Sequence, residues 1–188
     1  MNFENDIQSC IAILKKGGLI LYPTDTIWGI GCDATNEYAV NKIFALKKRV
    51  DNKTMIILLS RQTDISNYVV KPDPQILDYL AKTTQPTTAI YNNGINVASG
   101  LISKDGSVAI RIVKDEFCTA LINTFGKPIS STSANISGEL PPAIFNDIRD
   151  EIKNGVDYIV KHRQGDSKVA KPSAIIKLND EKKIVIIR

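Results

Sequence analysis

Lys127-Pro128-Ile129-Ser130-Ser131-Thr132-Ser133-Ala134-Asn135-Ile136-Ser137-Gly138 passes from a short apolar approach into a run of small hydroxyl and amide side chains. Its opening reads as a strand over Lys127–Ser131, and the rest as the polar turn that follows the strand. Small residues let a backbone come close to a phosphate, successive N–H groups can form an anion-binding nest, and Ser and Asn add neutral donors. Ser, Thr, Asn and Gly are also ordinary turn and N-cap residues, so a plain strand-to-turn connection fits the same composition. The two readings separate only when the flanking stretches are added.

Upstream, Phe117, Leu121 and Phe125 recur at helical spacing within Glu116–Phe125, behind an apolar strand at Ser107–Val113. At the N-terminal side, Ile7, Cys10, Ile11 and Leu14 fall at i, i+3, i+4 and i+7, a helix that stops at Gly17-Gly18. Leu19–Tyr22 is continuously apolar, as a strand buried on both faces would be. Val40, Ile43 and Phe44 mark a helix over Asn36–Lys48, and the strand Thr54–Leu59 follows. Further strands are predicted at Thr88–Tyr91, Asp157–Val160, Ser173–Leu178 and Lys183–Ile187, with helices at Ile65–Tyr68, Pro74–Lys82 and Phe145–Asn154. With strands and helices alternating and no repeat or linker, the expectation is an α/β fold, one domain over residues 1–188 around a mixed sheet.

The composition narrows the chemistry. A net charge of +4 permits a basic pocket but falls short of the charge density of a protein living mainly on nucleic acid. Cys10, Cys32 and Cys118 are scattered, with neither disulfide-framework nor metal-ligand spacing, and His162 is the single histidine. This pattern argues against a zinc site or a Ser-His-Asp triad. The N-terminal residues lack a basic n-region and an apolar h-region, and no apolar run approaches the ~20 residues of a membrane span. The expectation is a cytoplasmic protein with no membrane partner.

Several polar residues stand where a fold rarely needs them. Thr24-Asp25-Thr26 directly follows the buried Leu19–Tyr22 strand, and ligands of open α/β sheets bind outside strand ends; an Asx-type turn is the plain alternative. Lys47 lies seven residues after Val40 and so continues the apolar stripe of its helix, where phosphate pairing would explain it better than the helix dipole does. Arg111 stands inside the strand Val108–Val113, on one face with Ala109 and Val113, and needs an anion, either an internal Asp or Glu or a substrate group. The loop 164–172 is polar and basic, a mobile connection or a cover for a site. Gly29-x-Gly31-x-x-Ala34 matches the dinucleotide fingerprint loosely, although Pro23–Trp28 separates it from the preceding strand.

Taken together, LYPTDTIWGIGCDA (residues 21–34 with the preceding strand), LKKRVDNK (46–53) and SSTSANISG (130–138) resemble the YrdC/TsaC family of L-threonylcarbamoyladenylate synthases, over nearly the whole chain. The resemblance implies a twisted sheet around a basic concave cavity, in the short form without an extra C-terminal domain. It implies a reaction joining ATP, L-threonine and bicarbonate into threonylcarbamoyl-AMP with release of pyrophosphate. Magnesium would accompany the phosphates, and tRNA with its modification proteins would use the product. Lys47 and Arg49, a K-x-R pair, would be catalytic and would handle ATP together with Thr88, Ser133, Asn135 and Arg188. Thr24 or Thr26, Arg111, Ser131 and Ser173 would surround threonine and its carbamate. The chain departs from the family pattern at Val50, usually proline, at Arg111–Asp115, where R-x-P-x-H is common, and at Thr83–Thr88, where W-P-G-P-x-T is common. Two other classes stay open on the residues alone, an RNA-binding module without synthase activity and a dinucleotide-dependent oxidoreductase.

Overall fold

Alternate residues of a strand face opposite sides of its sheet, and in this protein the two sides are covered differently. The computed structural model describes residues 3–48, 55–167, 169 and 171–188. In chain order the elements are α1 (Glu4–Lys15), β1 (Ile20–Tyr22), β2 (Gly29–Asp33), α2 (Glu37–Leu46), β3 (Ile56–Leu59), α3 (Pro74–Lys82), β4 (Thr87–Tyr91), β5 (Val108–Ile112), α4 (Glu116–Phe125), β6 (Ile129–Ser133), α5 (Asp150–Asn154), β7 (Tyr158–Ile159), β8 (Ala174–Leu178) and β9 (Ile184–Ile186). The strands form one mixed sheet in the order β7-β1-β2-β6-β3-β5-β4-β8-β9. Pairs β1/β7, β3/β5 and β4/β8 are parallel, the rest antiparallel.

One side of the sheet carries Leu21, Ile30, Ile57, Ile110, Ala89 and Ile176, aligned by register across six strands and buried in one core with Val40 and Ile43 of α2. On the other side, α1 and α4 bring Ile7, Cys10, Leu14, Phe117 and Leu121 onto Ile20, Tyr22, Leu58 and Ile129. That second layer stops short. Ile56, Ile90, Ala109, Arg111, Thr88, Ser131 and Ile175 have the same facing but line an open cavity instead. The helices are closed locally: Asn36 and Asp115 accept hydrogen bonds from the Ala39 and Cys118 amides, and Gly126 ends α4 in the left-handed region at φ 74°.

Three sequence expectations change. Residues 29–33 are a strand between β1 and β6, so Gly29 and Gly31 are not a phosphate loop and the dinucleotide reading falls. A Cβ on Gly31 would stand 2.7 Å from the Tyr22 ring and 3.0 Å from Ile129, so these glycines serve close packing within a sheet. β6 is displaced two residues beyond the predicted strand and takes in Ser133. The predicted helix over 145–154 divides into a short turn at Phe145–Asp147 and α5, with Ile148 and Arg149 extended between them.

All three cysteines are free and buried. Burial pushes the Cys10 and Cys32 thiols up to about 12, aided by the charges of Asp6 and Asp33, and pushes Cys118 up as well. A raised thiol pKa keeps the unreactive protonated form below it. Native protein at pH 8 should therefore resist iodoacetamide at all three positions, with three alkylations by mass after denaturation; alkylation of the native protein would contradict the burial. Gly31→Ala should destabilise by about 1–3 kcal/mol through overpacking, despite the backbone-entropy gain of replacing glycine. Thermal melting checks it, with Gly165→Ala, where a Cβ meets no atom within 4 Å, as a control that should stay near wild type.

Candidate active site

The uncovered part of the sheet is a cavity of about 380 Å³, within the usual size of small-ligand sites. Its floor is apolar, from Ile56, Ile90, Ala109 and Ile175, and Pro141 and Pro172 stand among its walls. Above the floor are the hydroxyls of Thr24, Thr26, Thr88, Ser131, Ser133 and Ser173 and the guanidiniums of Arg111 and Arg188. Among the described residues no side-chain carboxylate belongs to the lining.

Arg111 is 4% exposed, and its Nη2 stands 3.0 Å from Asp25 Oδ1. An internal acid is thus the partner that the sequence demanded. Asp25 comes from outside the cavity lining, and its oxygens make charge contact without an aligned hydrogen bond. Arg111 Nε is buried with no hydrogen-bond partner, so the guanidinium keeps donor capacity. The flanking threonines form a tight turn: Thr24 Oγ1 donates to the Ile27 carbonyl at 2.8 Å, accepts from the Thr26 amide at 3.0 Å, and lies 2.9 Å from Thr26 Oγ1. The turn reading and the site reading are therefore compatible, since both hydroxyls reach the cavity.

Across the cavity, Thr88 Oγ1 and Ser173 Oγ share a hydrogen bond of 2.8 Å, and Arg188 Nε donates to the Ser173 carbonyl at 3.2 Å. Arg188 is pinned by its backbone, its carbonyl accepting from the Ile175 amide at 3.0 Å. Its pKa is lowered, first by desolvation and then by the positive charge of Arg111. Two guanidiniums that disfavour each other across a hydroxyl-lined space make an anion between them favourable.

The segment that follows β6 is built differently from a nest. The amides of Ala134, Asn135 and Ser137 already donate to the Trp28, Ser133 and Lys47 carbonyls. Lys47, 3% exposed, lies on the inward side of α2 as its spacing requires, but its Nζ donates to the Ser133 carbonyl at 2.6 Å and to the Asn135 carbonyl. Asn135 Nδ2 donates to the Ile136 and Glu139 carbonyls. Lys47 and Asn135 stand outside the cavity lining, with Ser133 in it, and the Lys47 ammonium clamps the loop. Arg49 lies outside the described residues. Eight expected residues, Thr24, Thr26, Thr88, Arg111, Ser131, Ser133, Ser173 and Arg188, share the cavity. Sequence reasoning did not name Asp25 as a site residue, although its place between two threonines after a buried strand was the signal, and it missed the apolar floor.

Among the described residues no group of three or more His, Cys, Asp or Glu could hold a metal ion. No helix among them is long and apolar enough to cross a membrane.

The half-covered mixed sheet and its arginine-bearing, hydroxyl-lined cavity define an α/β protein with a pocket rich in hydrogen-bond donors. More particularly, the chain matches the Sua5/YciO/YrdC family, described as telomere recombination, over residues 12–188, and it belongs to that family. It is 33% identical to the Threonylcarbamoyl-AMP synthase of Hahella chejuensis, over 90% of this chain and 91% of that protein. The crystal structure of P. abyssi Sua5 complexed with L-threonine is similar at TM-score 0.84 and 25% identity, over 98% of this chain and 54% of that one. The chain therefore spans about half the length of that protein. E. coli YciO is similar at TM-score 0.82 and 26% identity, over 98% of this chain and 88% of that one.

Removing one member of a buried ion pair strands the other. Asp25→Ala should cost about 3–5 kcal/mol in denaturant unfolding, and the double replacement Asp25→Leu/Arg111→Met should recover much of that loss. If Asp25→Ala unfolds like wild type, the pair does not stabilise this wall.

Proposed function

We propose that this protein is a threonylcarbamoyl-AMP synthase, forming threonylcarbamoyl-AMP and pyrophosphate from ATP, L-threonine and bicarbonate for the threonylcarbamoyladenosine modification of tRNA. The observation that carries the reading is the single cavity in which eight of the expected residues meet, on a chain whose curated relatives are synthases. Those relatives favour a synthase over a bare RNA-binding module.

The amine of threonine attacks the bicarbonate carbon, and loss of water leaves an N-carbamate. A carbamate oxygen then attacks the α-phosphorus of ATP, the bond to the oxygen bridging to the β-phosphorus breaks, and pyrophosphate leaves with that oxygen. No side-chain nucleophile is required, which agrees with a lining of hydroxyls and guanidiniums and with thiols held protonated by burial. The protein's contribution is orientation of the reactants and stabilisation of charge on phosphate.

Arg111, backed by Asp25, takes the amino-acid carboxylate, and Thr24, Thr26, Ser131 and Ser173 orient its hydroxyl and the carbamate. Ser133, Thr88 and Arg188 serve the nucleotide. Lys47 and Asn135 fix the Ser133 loop, so Lys47 is a positioning residue here, while Arg49 contributes charge to the polyphosphate as the K-x-R motif implies. Magnesium, where used, arrives chelated by the phosphates as part of the substrate. The product passes to tRNA-modification proteins in the cytoplasm.

Pyrophosphate release should require ATP, L-threonine and bicarbonate together, tested by omitting each in turn; release without threonine would sink the proposal. Arg188→Ala should raise the ATP half-saturation about ten-fold or more, the worth of a charge-assisted hydrogen bond, with little change in melting. An unchanged half-saturation would remove Arg188 from the site.

A further inference from the structure

The Thr24-Asp25-Thr26 turn is a partition with a different neighbour on each side. Thr24 and Thr26 line the cavity described above, whereas Asp25 lines a second, shallower cavity together with Lys114, Asp115, Phe117, His162 and Arg163. From that rear side Arg163 reaches the turn itself. Its Nη1 donates to the Thr24 carbonyl at 3.1 Å and to Asp115 Oδ2 at 3.1 Å, and its Nε donates to Asp166 Oδ2 at 2.8 Å. Asp115 is no loose partner, because its other oxygen caps α4 through the Cys118 amide at 2.8 Å. The residue preceding the turn is tied to the same helix, since Cys118 Sγ donates to the Pro23 carbonyl at 3.4 Å.

We propose that Arg163 is a positioning residue for the amino-acid end of the site: it fixes the Thr24 carbonyl against the start of α4 and so sets the angle at which Thr24, Thr26 and the Asp25–Arg111 pair meet the substrate. The inference rests on the functional reading above and deepens it. Arg163 holds a left-handed backbone at φ 66°, a conformation that a non-glycine residue keeps only where its surroundings over-determine it, and three acceptors on separate segments do so. A planar guanidinium can serve all three at once, which an ammonium on a flexible stem cannot do with the same geometry. The ties of Arg163 lie on the side of the turn away from Ser133 and Arg188, so its influence should fall on one substrate and spare the other.

The test is steady-state pyrophosphate release by the full chain, with L-threonine and ATP varied separately, for wild type, Arg163→Met and Arg163→Lys. The side chain is about a third exposed, so both variants should fold. Arg163→Met should raise the L-threonine half-saturation roughly ten-fold or more, the penalty of a misplaced binding group, while the ATP half-saturation and melting temperature stay close to wild type. Arg163→Lys should recover part of the loss. An unchanged L-threonine half-saturation in both variants would overturn the proposal, and so would a parallel rise for both substrates with a fall in melting temperature, which marks a merely structural role. Failure of the underlying functional reading looks different: wild-type release would itself be independent of L-threonine, and the proposal would fall with it.

Discussion

The two-residue period of a β-strand is the constraint on which both the core and the cavity depend. Across six strands one set of alternate residues is apolar, Leu21, Ile30, Ile57, Ile110, Ala89 and Ile176, with Ser130 and Thr132 of β6 among them, and it packs with Val40 and Ile43 of α2. The opposite set changes character along the sheet. Under α1 and α4 it is Ile20, Tyr22, Leu58 and Ile129; beyond them it is Ser131, Ala109, Arg111 and Thr88. A one-residue slip of β5 would place Arg111 in the apolar layer and Ile110 over the cavity. The burial of Ile110 and the cost of an apolar environment for a guanidinium oppose that slip together. The chemistry of the site and the register of the fold are thus specified by the same residues.

Arg111 shows how a charge is kept at this boundary. Unpaired, it could not remain charged at 4% exposure without a large penalty; hydrogen-bonded at every donor to internal acids, it would have little left for a ligand. One carboxylate approaching from behind is the intermediate solution. Asp25 compensates the charge from outside the cavity lining, Arg111 Nε remains without a hydrogen-bond partner, and among the described residues no acidic side chain in the lining opposes an incoming anion. Arg188, held to the Ser173 carbonyl, supplies a second guanidinium, its pKa lowered first by desolvation and then by the charge of Arg111, and an anion between the two would relieve that repulsion.

Much of this was legible in the sequence because it rests on local pattern. The α2 period put Lys47 inward, and strand alternation put Arg111 with Ala109. β2 escaped notice because Gly29-Ile30-Gly31-Cys32-Asp33 has the composition of a turn; its glycines make sense only once Tyr22 and Ser131 are known to lie across from them. The break at Ile148 and Arg149 escaped because apolar spacing continues through it. Arg163 had no signal at all, since its acceptors are 139, 48 and 3 residues away and only the fold brings the first two near.

The Ser-rich segment at the end of β6 invites a nest, yet the Ala134, Asn135 and Ser137 amides are spent on carbonyls, and the Ser133 and Asn135 carbonyls face the Lys47 ammonium. The direction of that contact matters. A backbone nest recognises an anion by N–H groups that must be left free, whereas this loop is made rigid by satisfying its backbone, so recognition passes to side chains projecting from it. Ser133 is the one that reaches the cavity, and its position follows from three independent ties: the β2 register at Gly29, the Lys47 clamp on its carbonyl, and the Asn135 amide folded back on the loop. A reaction that needs charge stabilisation without a nucleophile gains most from donors whose orientation is fixed before the substrate arrives, because no reorganisation is then required as charge develops on the phosphate. The lysine buried behind the wall, with its ammonium on the Ser133 and Asn135 carbonyls, contributes to that orientation.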